Sequence, residues 1–391
     1  MNLYSTEIKN SSEYMKSAPF KVQLKTRSGG KSKLYNFRSA RGVEEPRNIL
    51  PEEVLLLKGS DIEKTDAVLS IDSRIGVPGC VLGDQVSAGR ITITESNARA
   101  SLLCELNRRG NEVSSAEVML SSNIRNDCIR KFDKVIYAPK RSDPDHLVKQ
   151  NLHDATHVLR EEGKIYFSTE KKRAEEFVEF LEDFGEVNQK LDGDEKLLEL
   201  ENPEKKRRNR QTQEKKIEHS IKGEKCRFKT LEGSFSAEKL NMIEMAAREL
   251  DLGSGEKLLD LEAGFGGVGI FASKLYGVDP VFVERNAHMR DFVRENCELN
   301  DVEDFRALCE DGAENFNLAE FDAVTYCVDG SKDLKVVEED IHDCRRVLKE
   351  SGKLYVVHRK KFNLEKIVRK VFGDARAQRR EGHFQVTCVE K

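Results

Sequence analysis

An internal repeat constrains the fold of this chain more than any other feature of its sequence. The segment FDKVIYAPKRSD, which starts at Phe132, is matched by FDAVTYCVDGSKD, which starts at Phe321, 189 residues later (321 − 132). Three further pairs keep the same spacing: His153 and His342, Gly163 and Gly352, and Glu95 and Glu284. One offset held over so many positions is typical of a duplicated unit, so we expect two copies of one domain.

Short apolar strands alternate with helices in each copy. In the first copy the pattern predicts strands at 67–72, 90–95, 132–139, 164–170 and 196–201, and helices at 97–110, 146–163 and 174–185. Such alternation is typical of a mainly parallel, doubly wound sheet. The predicted divisions are a polar N-terminal arm at 1–30, a first domain at 31–202, a charged linker at 203–225 and a second domain at 226–391.

The two copies differ at the turn that follows their first strand. In the second copy this turn reads GFGGVG and begins at Gly264, whereas the first copy has Arg74 at the aligned position. A side chain at Arg74 would fill the space that a ligand needs close to the backbone. The predicted fold class is therefore α/β, with two tandem Rossmann-like doubly wound domains, of which the first is degenerate and the second holds the pocket.

The glycine turn alone does not identify its ligand, because Glu284 follows Gly264 by twenty residues and this spacing also fits a dinucleotide site. Charge argues against a dinucleotide. Asp260 and Glu262 stand at the end of the first strand, where carboxylates would repel a pyrophosphate and attract a cationic ligand. S-adenosyl-L-methionine (SAM) is such a ligand. Glu284 would accept hydrogen bonds from its ribose, and Asp311 from its adenine.

These residues resemble the class I SAM-dependent methyltransferases, whose first three motifs are similar to LLDLEAGFGGVGI, VFVERN and LCEDGA in this chain. The tandem arrangement is similar to the 16S ribosomal RNA guanine-N2 methyltransferase C (RsmC-like, "methyltransferase small") family, which has a degenerate first copy and an active second copy. The resemblance covers roughly residues 60 to 391. It implies the following cofactor-binding residues: Asp260, Glu262, Ala263, Gly264, Phe265, Gly266, Gly267, Glu284, Arg285, Asp311 and Gly312.

The resemblance also implies RNA as the substrate, methylated on a base amine of the guanine N2 type, but this chain departs from the family at the acceptor site. The NPPF-type tetrapeptide of amino-methylating members is replaced by CVDG, which makes Cys327 and Asp329 the candidate catalytic residues. Glu262 also replaces the first glycine of the family turn. Two alternatives stay open: a catalytically weakened RNA-binding pseudo-methyltransferase, and a methyltransferase for a small molecule or a protein.

Candidate substrate contacts come from aromatic and basic residues. Phe235 or Tyr326 would stack on a target base, although an aromatic residue beside a core strand is more often part of the core. A basic run over residues 359–380, which includes Arg379 and Arg380, follows the fifth strand and would face RNA. A second basic run at 203–216 is either a solvated linker or a handle for phosphates.

Composition excludes several other classes of protein. The nine cysteines show no CxxC pair, and no apolar run approaches the length of a membrane span. The net charge of -4 implies no partner by itself. We therefore expect a cytoplasmic protein without a metal site or a membrane partner, and a monomer whose two copies pair within one chain.

Overall fold

The structure is a computed structural model that describes residues 20–28, 31–87, 90–129, 131–205, 214–231, 236–328, 330 and 332–391. The first copy contains the following elements: β1 Phe20–Ser28, β2 Lys31–Ser39, α1 Pro51–Gly59, β3 Val68–Ile71, α2 Val77–Gly83, β4 Ile91–Glu95, α3 Ala98–Gly110, β5 Ala116–Leu120, α4 Ile124–Asp127, β6 Phe132–Tyr137, α5 Asp145–Val158, β7 Leu159–Glu170, α6 Lys171–Glu182, β8 Val187–Asp192 and β9 Glu195–Glu201.

The second copy repeats this order. Its elements are β10 Glu214–Ile221, β11 Glu224–Leu231, α7 Ala237–Glu249, β12 Lys257–Leu261, α8 Gly267–Tyr276, β13 Asp279–Glu284, α9 Ala287–Leu299, β14 Arg306–Cys309, β15 Phe321–Val328, α10 Leu334–Val347, β16 Leu348–Arg359, α11 Glu365–Phe372, β17 Arg376–Glu381 and β18 Phe384–Glu390. The paired strands β7 and β16 begin and end 189 residues apart, which is the offset found in the sequence.

Each copy is built on a seven-stranded sheet, in the order β5-β4-β3-β6-β7-β9-β8 for the first and β14-β13-β12-β15-β16-β18-β17 for the second. The first five strands of each order are parallel, and the last two add an antiparallel edge. The predicted fold class is confirmed. In such sheets ligands bind outside the carboxyl ends of the strands, where the order reverses, which here lies beside β12 and β15.

Each copy also begins with a two-stranded hairpin that the sequence patterns did not predict. β1 pairs with β2, and β10 pairs with β11. Residues 214–221 of the predicted charged linker thus form the strand β10, and residues 20–28 of the predicted arm form the strand β1. β10 was missed because it is largely exposed and charged, so it lacks the apolar alternation that indicates a strand. The middle of the basic run, residues 206–213, lies outside the described residues.

Two asparagines hold each hairpin in place, one on the helix that follows the second strand of the sheet and one at the C-terminal end of that helix. In the second copy the Asn296 side chain accepts from the Lys229 N–H at 2.7 Å and donates to the Lys229 carbonyl at 2.8 Å. Asn300 does the same with Arg227, at 2.9 and 2.7 Å. The first copy repeats these bonds with the following pairs: Asn107 with Arg38, and Asn111 with Asn36. The duplication therefore includes the hairpins.

Other departures from the predicted elements are local. The helix predicted at 146–163 ends at Val158, because the chain turns directly into β7 and Glu162 takes a positive φ of 63°. The strands β5 and β8 were not predicted, since most of their residues are partly or fully exposed. In the part of the chain that the structure describes, no helix is long and apolar enough to cross a membrane.

The two copies pack against each other around an isolated antiparallel bridge between Asn97 and Asn286. The Ala98 N–H donates to the carbonyl of Arg285 at 2.8 Å, and the Ala287 N–H donates to the carbonyl of Ser96 at 2.7 Å. Asn97 and Asn286 occupy equivalent positions, each at the start of the helix that follows the second strand of its sheet. The strand ends next to the pocket therefore lie close to the contact between the copies.

Candidate cofactor site

The turn after the first strand has the same backbone conformation in both copies. Alternate residues take positive φ angles in each: Glu262 at 57°, Gly264 at 59° and Gly266 at 88° in the second copy, and Asp72 at 43°, Arg74 at 56° and Gly76 at 81° in the first. A positive φ is unfavourable for residues that carry a Cβ. The two turns therefore share one shape and differ in what their side chains do with it.

In the first copy the side chain of Arg74 fills the turn. Arg74 is 1% exposed, and its Nη2 donates to Glu53 at 2.7 Å. Nη2 also donates to the backbone carbonyl of Asn48 at 3.2 Å, and Nη1 donates to the backbone carbonyl of Glu44 at 2.7 Å. The space that a ligand would need is thus occupied by a guanidinium group that ties down the segment before α1.

In the second copy the turn is open at Gly264. A Cβ placed on Gly264 would have no heavy atom of the described residues within 4 Å. Beside it, the Glu284 carboxylate accepts from the backbone N–H of Gly264 at 2.8 Å and of Asn286 at 3.0 Å. Burial, and then the nearby charge of Glu262, raises the pKa of Glu284 to about 7. Each carboxylate oxygen has a second lone pair, so Glu284 can accept further hydrogen bonds from a ligand.

The sequence predicted Asp260 at the mouth of the turn. In the structure its side chain instead bonds groups inside the protein. It accepts from the Gly269 N–H at 3.0 Å and from the Thr325 hydroxyl at 2.8 Å, and it is 2% exposed. Burial raises the pKa of Asp260 to about 6. Asp260 therefore satisfies one of the unpaired N–H groups at the start of α8.

Glu262 forms the wall of the site together with two cations. Its carboxylate contacts the Arg285 guanidinium on one side and lies 2.6 Å from the Lys332 ammonium on the other. Burial acts to raise the pKa of Glu262, but the charges of Arg285 and Lys332 outweigh it and hold that pKa below its usual value. No sequence pattern singled out Lys332, because it follows β15 in a loop whose aligned residue in the first copy is Asp143.

Arg285 and Asp311, both predicted to contact the cofactor, bind protein groups. Arg285 donates to Asp311 at 2.5 Å and to Asp340 at 2.6 Å. Asp311 also accepts from Arg99 of the first copy at 2.8 Å. Burial acts against ionisation, but Arg285 and Arg99 outweigh it and lower the pKa of Asp311 to about 2. The free acceptor that the sequence predicted for adenine is therefore a carboxylate shared by two arginines.

Tyr326 was also proposed as a base-stacking residue, and the structure contradicts this. Its ring is fully buried in the core, and its hydroxyl donates to Asp340 at 2.5 Å. Cys327, the next residue on β15, is partly exposed. The other two candidates for the acceptor side, Phe235 and Asp329, lie outside the described residues, so their roles stay predictions.

The remaining predicted cofactor residues shape the turn mainly through their backbones. Phe265 is 2% exposed and packs its ring against Phe228, with the ring centroids 5.3 Å apart. A Cβ on Gly267 would come within 2.6 Å of Ile243, so this glycine permits close helix packing. The other positions are placed as follows: Ala263 donates its N–H to Val283, Gly266 caps α8, and Gly312 lies beside Asp340 and Arg285.

A basic cavity of about 460 Å³ opens at the carboxyl end of β16. It is lined by His358, Lys360, Lys361, Asn363, Glu365, Arg380 and Gln385. Arg380 thus lines a polar cavity, and its role as a substrate contact stays a prediction. Arg379 points elsewhere and pairs with Glu381 at 2.9 Å and Glu249 at 3.3 Å. Among the described residues, no group of three or more His, Cys, Asp or Glu side chains could hold a metal ion.

The chain resembles known proteins both in sequence and in fold. The model of the methyltransferase small domain matches residues 41–195 and 225–388. The T. thermophilus 16S rRNA N2 G1207 methyltransferase (RsmC), solved with AdoMet and guanosine, is 19% identical with a TM-score of 0.72, covering 95% of this chain and 98% of that one. At this identity the likeness shows the fold.

Two further solved structures align with only part of the chain. The L. delbrueckii ribosomal protein L11 methylase is 13% identical, with a TM-score of 0.35, over 40% of this chain and 80% of its own. M. jannaschii TYW2, in complex with AdoMet, is 18% identical, with a TM-score of 0.34, over 46% of this chain and 85% of its own. No curated protein matches the sequence.

Proposed function

The chain belongs to the methyltransferase small domain family, and we propose that it is a SAM-dependent methyltransferase acting on a base amine, of the guanine N2 type, in ribosomal or other RNA. The active copy is the second. One observation carries the proposal: two turns of the same backbone shape differ in that the first is filled by Arg74 and the second is open at Gly264, next to a buried acid.

The residues around this turn fit SAM better than a dinucleotide. A pyrophosphate needs free N–H groups at the start of a helix. Here the Gly269 N–H is already bound by Asp260, and the Gly264 N–H by Glu284. Both acceptors are carboxylates, which repel a phosphate and attract the positive charge of a sulfonium. These carboxylate acceptors therefore favour a cationic nucleoside as the ligand.

We assign the residues the following roles in cofactor binding and methyl transfer. The open backbone at Gly264 would admit the ligand, and Glu284 would accept from its ribose hydroxyls. Bound SAM supplies a methyl group already activated by its sulfonium. Transfer forms the N–CH3 bond as the S–CH3 bond breaks, and the amine then loses a proton to a nearby acceptor. We propose Asp329 as that acceptor on sequence grounds, with Cys327 at the end of β15 contacting the target base.

The basic cavity supports RNA as the substrate. Lys360, Lys361 and Arg380 line it with a single acid, Glu365, and it lies at the edge of the sheet that carries the glycine turn. Cations grouped in this way favour the phosphates of a nucleic-acid backbone. The rRNA substrate named for the T. thermophilus structure agrees with this choice. A base in RNA must be unpaired or unstacked to reach the site.

The test is transfer of a tritiated methyl group from SAM to undermodified ribosomal RNA. We expect incorporation with the wild type, and a KM for RNA raised about tenfold in the Lys360→Ser/Arg380→Ser variant, with a salt slope lower by about one per lost phosphate contact. The Kd for SAM should not change. Lys257→Ser, an exposed lysine at the opposite edge of the sheet, is the matched control and should behave as wild type.

Two other outcomes would replace this proposal. Binding of SAM and RNA without methyl incorporation would favour the pseudo-methyltransferase, for which the specific observation is Cys327 at the position of the family asparagine. Incorporation into a protein or small-molecule fraction, unaffected by the Lys360→Ser/Arg380→Ser variant, would assign another substrate. A wild type that binds no SAM would refute the cofactor itself.

A further inference from the structure

We propose that Arg99, a residue of the first copy, is a positioning residue for the cofactor pocket of the second copy. The inference rests on the proposed cofactor site and explains what the degenerate copy contributes to it. It requires only charged groups that are buried and in contact in the structure.

Arg99 reaches across the contact between the copies. It lies at the start of α3, two residues after the bridge at Asn97, and is 9% exposed. Its Nε lies 2.9 and 2.8 Å from the two carboxylate oxygens of Asp311, a residue at the end of β14 in the second copy. Its Nη1 donates to the backbone carbonyl of Arg41 at 2.7 Å, which fixes the guanidinium from its own side.

From Asp311 the contacts continue to the glycine turn. Asp311 accepts from Arg285 at 2.5 Å, and Arg285 contacts the carboxylate of Glu262. Glu262 is the first residue of the turn with a positive φ, so its orientation and that of the following backbone are coupled. Arg99 is therefore joined to the turn through three side chains that are at most 11% exposed, each held by its neighbours.

The balance of charge makes this arrangement sensitive to Arg99. Arg285 already forms ion pairs with three carboxylates, those of Glu262, Asp311 and Asp340. Arg99 supplies Asp311 with a second cation. Without Arg99, Asp311 would lose one of its two described arginine partners and attract the Arg285 guanidinium more strongly, away from Glu262, because a buried charge that loses its partner is strongly unfavourable. The wall of the pocket would then lose its present geometry.

The interface offers a matched control. Arg41 also pairs across the copies, with Asp333 at 2.7 Å, but both side chains are about one-third exposed. Neither Arg41 nor Asp333 is among the described contacts of Glu262, Arg285 or Asp311. A role that consists only of holding the copies together would make Arg41 and Arg99 equivalent.

The experiment measures SAM binding by calorimetry and thermal unfolding on the full chain. We expect Arg99→Met to weaken SAM about tenfold and Arg41→Met to leave its Kd within about twofold, since only Arg99 is coupled to the pocket. Arg99→Lys keeps the charge and loses the planar fork, so its Kd should lie between those of wild type and Arg99→Met. It also serves as the informative variant if Arg99→Met fails to fold.

A double-mutant cycle of Arg99→Met with Glu262→Gln separates positioning from general stability. The two residues do not touch, so a merely structural role predicts additive changes in Kd, whereas coupling through Arg285 predicts that the second change has a smaller effect after the first. Additive changes, or equal Kd values for Arg99→Met and Arg41→Met, would overturn the inference. A wild type that binds no SAM would instead refute the proposed function on which the inference depends.

Discussion

The two glycine turns show how one copy of a duplicated domain loses a pocket without losing its fold. The backbone angles agree closely, with Arg74 at 56° and Gly264 at 59°. The first copy keeps the strained angle and places a guanidinium where the second copy has open space. The difference lies in the side chains, because the main chain has the same conformation in both turns.

The acidic residues at the ends of the second strands, Glu95 and Glu284, also differ in their side-chain partners. In the first copy the buried Glu95 pairs with Lys140 at 3.1 Å. In the second copy Glu284 has no ion-pair partner among the described residues and is held by two backbone N–H groups. Burial raises the pKa of both carboxyl groups to about 7. The acid of the closed copy is therefore neutralised by a cation of the protein, whereas the acid of the open copy is held by backbone N–H groups.

The comparison predicts that Gly264→Arg will convert the second turn into a copy of the first. We expect SAM binding to weaken at least about 100-fold, equivalent to roughly 2.7 kcal/mol, because the new side chain occupies the ligand space. The fold should survive, since Arg74 adopts the same angle. Calorimetry and a thermal melt measure the two effects.

Gly264→Ala provides the control for this change, because it adds the backbone strain without filling the pocket. It should keep most of the SAM affinity. If the arginine variant binds SAM as well as the alanine variant does, the ligand site is not at this turn.

The asparagines that anchor the hairpins allow a second comparison of the roles of the two copies. Asn107 and Asn296 also donate to the turn itself, at the carbonyls of Ile75 (2.9 Å) and Phe265 (2.8 Å). Changing either to alanine leaves buried groups unpaired and should lower the free energy of unfolding by about 1–3 kcal/mol. Only Asn296→Ala should also weaken SAM binding. Equal Kd values for both variants would show that the anchor does not affect the pocket.

The smallest predicted effect is a pH dependence that belongs to the second copy. Glu284 has a pKa of about 7 in the folded chain, and its carboxylate form is the better hydrogen-bond acceptor. SAM should therefore bind about tenfold more weakly at pH 6 than at pH 8, where the group is ionised. Glu284→Gln should remove this dependence. Glu95→Gln, in the closed copy, should leave the pH profile of binding unchanged.

Stability should respond to pH with the opposite sign. A buried carboxyl whose pKa rises from 4.5 to about 7 on folding binds more protons in the folded state. Its contribution to stability is then present below pH 4.5 and is lost as the pH rises towards 7. Denaturant unfolding at both ends of this range should show a flatter profile for Glu284→Gln. If the pH dependence of the unfolding free energy is the same in Glu284→Gln as in the wild type, the raised pKa does not belong to Glu284.

Much of the fold followed from local patterns. The apolar runs and the offset of 189 residues predicted most strands of the two sheets, and the alignment of Arg74 with Gly264 identified the filled turn. The hairpins were missed because strands such as β10 are solvated and carry charges on both faces. Tyr326 was misassigned because an aromatic residue at a strand end has the same sequence pattern whether it points into the core or into a pocket.

The sequence by itself determined the duplication, the order of the central strands and helices, and which turn carries a glycine in place of arginine, since each of these follows from patterns within short stretches of the chain. The tertiary structure alone decided the charge partners. Arg99, Arg285, Asp311 and Asp340 come from four separate segments, and their pairing appears only when both copies are folded and water is excluded. Burial makes an unpaired charge costly, so packing between the copies selected partners that no local pattern could indicate.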